Sequence, residues 1–516
     1  MTTPDTSAAQ VQGAGGVNAS EDPHYAKRWW ILAILGVAQL MVVLDATIVN
    51  IALPHAQTAL GFSNTDRQWI VTGYSLAFGS LLLLGGRIAD LFGRKRVFII
   101  GIIGFAAASA FGGAAQNFDM LLAARVIQGA FGALLAPAAL SLLTTTFTNP
   151  AERSKATGIY GGIAGGGASV GLLLGGVLTE YLDWRWVMYV NVLIAVPALT
   201  GGVMLLKNVT SPDRPRLDIV GTVLAAVGLF GLVYGFSNVS MSAGSTGWTK
   251  PATLVALIGG VVLLVVFVLV ERRVAHPLLP LRIVTDRNRG GAYTAMFLAA
   301  IGMFGVFLFL TYYLEETLGY SAVKTGLAFL PLTLILVVVA AVGNTILLTR
   351  VSPRIAVPTG LLLGAAGMAL LTRIGLHASY VSDVLPTLVL LGVGLGLVFA
   401  PAFTLGTMGV DRGDAGVASA TINVAQQIGG SIGTSLLNTI AATAAAGYIT
   451  AHAASITSAA SKQLVEANGL IHSYHVVFWV AAGIYVFAAV VTGLMLRPGV
   501  AIPRNSEDSD AVAVHA

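Results

Sequence analysis

Apolar stretches of about 20 residues, each closed by a short polar or basic break, recur along almost the whole chain. That length is what a helix needs to cross the hydrocarbon of a bilayer. The pattern predicts fourteen spans, at 29–53, 68–90, 97–116, 120–146, 155–180, 184–206, 217–238, 251–270, 290–314, 325–349, 355–375, 384–409, 413–440 and 475–496. The breaks do not share their cations evenly. With the first span starting inside, inside segments hold 21 Lys and Arg and outside segments 6, with Arg125 left within the fourth span. The positive-inside rule then predicts that both termini are cytoplasmic, which requires an even number of spans. Residues 1–28 and 497–516 read as cytoplasmic tails, the first of them disordered. The apolar run after Lys27-Arg28 is too long for a signal-peptide core. The outside stretch 441–474, rich in Ala, Ser and Thr, reads as the longest external loop, and its "HSYH" (472–475) as ordinary polar loop residues.

A repeat runs through the pattern. "GALLAPA" (132–138) in the fourth span returns as "GLVFAPA" (396–402) in the twelfth, at an offset of 264; "GASVG" (167–171) returns as "GGSIG" (429–433), at 262. Two matches at nearly one offset in consecutive spans predict an internal duplication. The expected plan is six plus two plus six: a bundle at 29–206, a two-helix insert with a basic connector at 207–289, and a second bundle at 290–496. Transporters built from two six-helix halves hold substrate between them and alternate access by rocking.

Composition narrows the chemistry. Of 516 residues only 10% are charged, against about a quarter in soluble domains, and mean hydropathy is +0.83. The fold class is therefore an all-α polytopic membrane protein. There is no cysteine, which excludes disulfides, thiol catalysis and thiolate metal sites. The net charge of +5 belongs to cytoplasmic loops and does not imply a nucleic-acid partner. "GGIAGGG" (161–167) precedes no Gly-Lys-Ser/Thr, so it reads as a helix-packing face with small residues every fourth position and not as a phosphate loop. With no ATPase motif, no metal constellation and no expected cofactor, an ion gradient is the expected drive.

Of 23 acidic residues, only Asp45, in "LDATIVNIALP" (44–54), falls well inside a predicted span. An intramembrane carboxylate is expensive and is a functional-site hypothesis by default. Counting roughly 1.5 Å per residue, Asp45 lies about 12 Å, and Arg125 about 8 Å, below the outer ends of their helices. At such similar depths the two can pair. Burial would favour a neutral carboxyl and the arginine an ionised one, a competition suited to binding and releasing a proton. His55 is expected at the outer mouth, as an exposed interfacial histidine or a proton relay. Of the aromatics on the second span, Tyr74 and Phe78 are candidates to stack on a planar ligand, and Trp69 reads as an interfacial anchor.

These residues also carry a resemblance. "LDATIVNIALP", "GGRIADLFGRKR" (85–96), "RVIQGAFGA" (125–133) and "DWRWVMYVN" (183–191), in that order, resemble the motifs of the fourteen-helix drug:proton antiporters of the major facilitator superfamily. In the loop motif Gly86, Ala89, Asp90, Gly93, Arg94 and Lys95 match, while Ile88 and Leu91 depart. The helix-5 antiporter motif keeps Gly171, Gly175 and Gly176, but Leu172 stands where the family usually has proline. The resemblance implies the major facilitator fold and proton-coupled efflux of hydrophobic, often cationic drugs across a bacterial cytoplasmic membrane. Asp45 and Arg125 would couple protons. Asp90, Gly93 and Arg94 would form a latch against helix 13. Gln128, Asn423, Gln426 and Gln427 are the cavity candidates, the three on helix 13 serving either to bind substrate or to bond a neighbouring helix. Dedicated export of one endogenous metabolite, lipid or siderophore stays open beside drug efflux. A membrane enzyme lacks any matching constellation.

Overall fold

The computed structural model describes residues 26–62, 64–207, 218–240, 244–275, 277–453 and 458–499. Residues 1–25 and 500–516 of the expected tails 1–28 and 497–516, and the stretch 208–217, lie outside these residues. Fourteen long helices follow one another: α1 (Arg28–Leu60), α2 (Asn64–Phe92), α3 (Arg94–Gly113), α4 (Phe118–Thr146), α5 (Pro150–Tyr181), α6 (Trp186–Leu205), α7 (Ile219–Ser240), α8 (Pro251–Glu271), α9 (Arg287–Tyr312), α10 (Ala322–Arg350), α11 (Pro353–Leu371), α12 (Leu385–Thr407), α13 (Ala415–Ala451) and α14 (Ala459–Met495). Thirteen are long and apolar enough to cross a membrane as single stretches, and α5 passes as two bent pieces. No strand occurs among the described residues.

The packing map repeats itself. In the first half α1 lies on α4, α5 and α6, and α4 on α2 and α3; in the second, α9 lies on α12, α13 and α14, and α12 on α10 and α11. The repeated glycines do the same work in both halves. A Cβ on Gly171 would meet Leu44 and Thr47 of α1, and one on Gly433 would meet Ile301 of α9. Small residues at these points let helix backbones approach closely. The halves meet along two seams, α2 against α13 and α5 against α10 and α12. The insert breaks that pseudosymmetry: α7 lies over α2 and α13, and α8 packs chiefly on α7. The close approach of α7 and α8 runs through Gly228, Gly231 and Gly260.

Two expectations change. α1 does not end at 53 but continues through Pro54 to Leu60, so exposed His55 is carried on a helix. The predicted external loop 441–474 is mostly helical: α13 runs to Ala451 and α14 starts at Ala459. Each has 37 residues, about 55 Å at 1.5 Å per residue, far longer than a bilayer needs. Hydropathy fails there because a hairpin extending past the hydrocarbon has no need to be apolar. The histidines of "HSYH" therefore sit on α14. His475 Nε2 lies 2.6 Å from the Ile374 carbonyl oxygen, and the His472 ring is 5.2 Å from that of Tyr448.

Candidate functional site: a buried ion pair and a helix-end contact

Asp45 and Arg125 are 0% and 1% exposed. On α4, Arg125 and Gln128 are one turn apart and face α1 together. Gly129 lets α2 come close enough that its backbone at Tyr74 and Phe78 lies against α4. This brings the Tyr74 ring to 4.3 Å from the Arg125 guanidinium carbon. Arg125 Nη1 donates to Asp45 Oδ2 at 2.6 Å and to Gln128 Oε1 at 2.7 Å. The other carboxylate oxygen of Asp45 accepts from Gln128 Nε2 and from Asn191 Nδ2, each at 2.7 Å. Gln128 Nε2 also donates to Ser109 Oγ at 2.7 Å. Side chains from α1, α2, α3, α4 and α6 thus close round one carboxylate, all from the first half. A buried ion pair needs partners for its remaining donors and acceptors; the cage supplies them to both carboxylate oxygens, and Arg125 Nε donates to the Ile70 carbonyl at 3.4 Å.

Three of these partners escaped sequence reasoning. Asn191 is the only amide in the apolar run of α6, a signal that was available. Ser109, in an Ala- and Gly-rich helix, gave none. Tyr74, a candidate for stacking on substrate, is buried and covers Arg125 instead. Gln128 belongs to the cage and, at 0% exposure, stands on no open wall. Asn423 is also buried, and its Nδ2 donates to the Ser419 carbonyl of its own helix at 2.8 Å. Gln426 and Gln427 are partly exposed on α13, and Gln427 lies beside Gly79 of α2 at the seam between halves. Trp69 packs on Tyr234 of the insert, with ring centres 6.0 Å apart. On α5, Gly171 and Gly175 face α1, whereas Gly162, Gly165 and Gly166 face α10; Gly176 is buried, as is Leu172 at the proline position.

A second constellation lies at the end of the bundle where α1 begins and α14 ends. Gly93 turns α2 into α3 with φ +97°, a backbone conformation that favours glycine. Asp90, in the last turn of α2, accepts the Gly416 N–H at the start of α13 at 3.0 and 3.1 Å. Its Oδ1 also accepts from Arg94 Nη2 at 3.0 Å. The helices cross so closely that a Cβ on Gly86 would meet the Gly416 carbonyl. Arg87 Nη1 stands 3.6 Å from Asp414 Oδ1. A carboxylate at exposed helix N–H groups is favourable on both hydrogen-bonding and dipole grounds.

A model of the Major Facilitator Superfamily matches residues 35–434. The chain belongs to this superfamily. This superfamily member is 47% identical over 495 residues, 96% of itself and 95% of the relative, to the puromycin resistance protein pur8 of Streptomyces alboniger. It is 38% identical over 440 residues, 85% of itself and 89% of the relative, to the cephamycin export protein CmcT of Amycolatopsis lactamdurans. Among solved structures, the proton:xylose symporter XylE matches 92% of this chain and 96% of its own, with a TM-score of 0.62 at 13% identity, and shares the fold. The protein is a multi-pass membrane transporter and not an enzyme.

Proposed function

We propose that this transporter exports an amphiphilic antibiotic in exchange for protons, with Asp45 carrying the proton. One observation carries the reading: a carboxylate at 0% exposure in the middle of a membrane-spanning bundle, caged with an arginine. Protonating Asp45 removes the counter-charge of Arg125. An uncompensated guanidinium in a dry bundle is strongly unfavourable, so the cage must repack or admit water. Either change is transmitted to α2, whose Tyr74 lies on the arginine and whose far end holds the latch. In this reading the halves are 29–206 and 290–496 with 207–289 inserted between them. Both termini lie in the cytoplasm of a bacterial cell, and Gln426 and Gln427 face the substrate path. Relatives named for puromycin resistance and for cephamycin export supply the first compounds to try. Their names also favour a second reading, a pump dedicated to one natural product, which a substrate panel separates from broad efflux.

The test uses everted vesicles with an acid interior and a fluorescent pH reporter. Adding puromycin, cephamycin or lipophilic cations is expected to discharge the gradient for at least one compound. No discharge across the panel, with uptake still measurable, would remove proton exchange from the reading.

Asp90 would latch the end where α1 begins and α14 ends, by holding α13 through Gly416. Asp90→Asn keeps the size and loses the charge. It is expected to slow transport about tenfold, corresponding to about 1.4 kcal/mol, while equilibrium binding of substrate changes less than about threefold. Lost binding with normal cycling would count against the latch.

A further inference from the structure

The connector after the two-helix insert reaches into the latch. At the end of α8, the Glu271 carboxylate accepts the N–H groups of Leu278 and Leu279 at 3.3 and 3.1 Å, folding the connector back. Leu278 and Ile283 are buried, seating the short helix Leu281–Thr285. Arg289, on α9, donates to the Arg282 and Ile283 carbonyls and also to those of Met408 and Gly409 beyond α12. The connector is thereby bound to the second half. From it Arg282 Nη2 donates to Asp414 Oδ2 at 2.6 Å and to Asp411 Oδ2 at 3.0 Å. Asp414 is the residue whose other oxygen faces Arg87 of the first half, at the longer 3.6 Å. One carboxylate at the foot of α13 is therefore shared between an arginine on each side of the seam.

We infer that Arg282 is a gate-positioning residue, supplied by the insert, that favours separation of α2 from α13. When α2 leaves, Arg87 departs from Asp414, but Arg282 stays with the second half and keeps that carboxylate paired. In the closed gate its charge also opposes Arg87 and weakens the hold of α2. Both effects have the same sign. Arg282 is 66% exposed at its side chain, so each contact is modest and removing the guanidinium opens no cavity. A gate poised between two states responds to such modest energies, since every 1.4 kcal/mol is tenfold in population. The inference rests on the proposed opening of the α2–α13 contact during transport.

The chain has no native cysteine, so spin labels go only where cysteines are introduced. Phe92→Cys at the end of α2 and Ile355→Cys at the start of α11 mark the two halves at this end; both side chains are exposed. Electron–electron distance measurements on the otherwise wild-type protein, with and without puromycin, are expected to show a short and a long population. Arg282→Gln should shift the balance toward the short distance by about threefold and slow transport in proportion, with Arg282→Lys restoring part of both. An unchanged balance, or a shift toward the long distance, in a variant of wild-type abundance would overturn the inference. If Arg282→Gln does not accumulate, Arg282→Lys must still show the smaller shift. A single distance in the wild type under all conditions would remove the latch itself, and this inference with it.

Discussion

Asp45→Asn is expected to abolish substrate-driven discharge of a proton gradient and to make any residual transport independent of pH. An amide keeps the size of the carboxyl and can still meet Gln128 and Asn191, but it neither titrates nor compensates Arg125. Removing one member of a buried pair destabilises by about 3–5 kcal/mol, so abundance in the membrane should also fall. Asp45→Glu separates the two effects, since it keeps a titratable charge while shifting it within a cage whose contacts are 2.6 to 2.7 Å. It should recover abundance more than transport rate. The assay is gradient discharge in everted vesicles, with quantified protein, across a range of external pH. Discharge by Asp45→Asn with a wild-type pH profile would demote Asp45 to a structural carboxylate.

Gly171→Val should be comparably severe for a different reason. A side chain there meets the Thr47 hydroxyl and the Leu44 carbonyl, two positions after and one before Asp45 on α1. The Thr47 hydroxyl, the nearer of the two, can turn away only by giving up its bonds to the Val43 and Leu44 carbonyls. The Leu44 carbonyl cannot turn, so α1 and α5 must give by a few tenths of an ångström, and the carboxylate moves with them. Overpacking costs about 1–3 kcal/mol, and a shift of the cage by a fraction of an ångström disrupts hydrogen bonds as short as these. The expected result is reduced thermal stability of purified protein and loss of transport, with Gly171→Ala intermediate in both. Wild-type stability and transport in Gly171→Val would show that the α1–α5 approach is not required. Leu172, at the position where the resemblance expects proline, is buried beside it. The close approach is therefore made by the glycines and does not depend on that proline.

Much of the site was legible because intramembrane polarity is rare. Asp45 and Arg125 stood out as charges in apolar runs, and helix geometry placed them at similar depth even though α1 proved longer than expected. The contact of Asp90 with the start of α13 followed from the resemblance and from the affinity of a carboxylate for unpaired helix N–H groups. Gln128 was a candidate for the wrong surroundings: the sequence marks it as polar within a helix but does not say whether it faces a cavity or a carboxylate.

Membrane spans are a local property. Hydrocarbon acts on some twenty consecutive residues at a time, so their number, their order and the asymmetry of their flanking cations could be read from the chain alone, and the duplication with them. The hairpin of α13 and α14 escaped that reading because the part that outruns the bilayer is under no pressure to be apolar. The cage and the shared carboxylate are not local. Asn191 meets Asp45 from 146 positions away, and Arg282 meets Asp414 from 132. Which faces of which helices meet is decided by close packing at glycines scattered through the fold. Only tertiary structure reports that outcome, because each such contact depends on every helix that holds the two partners in place.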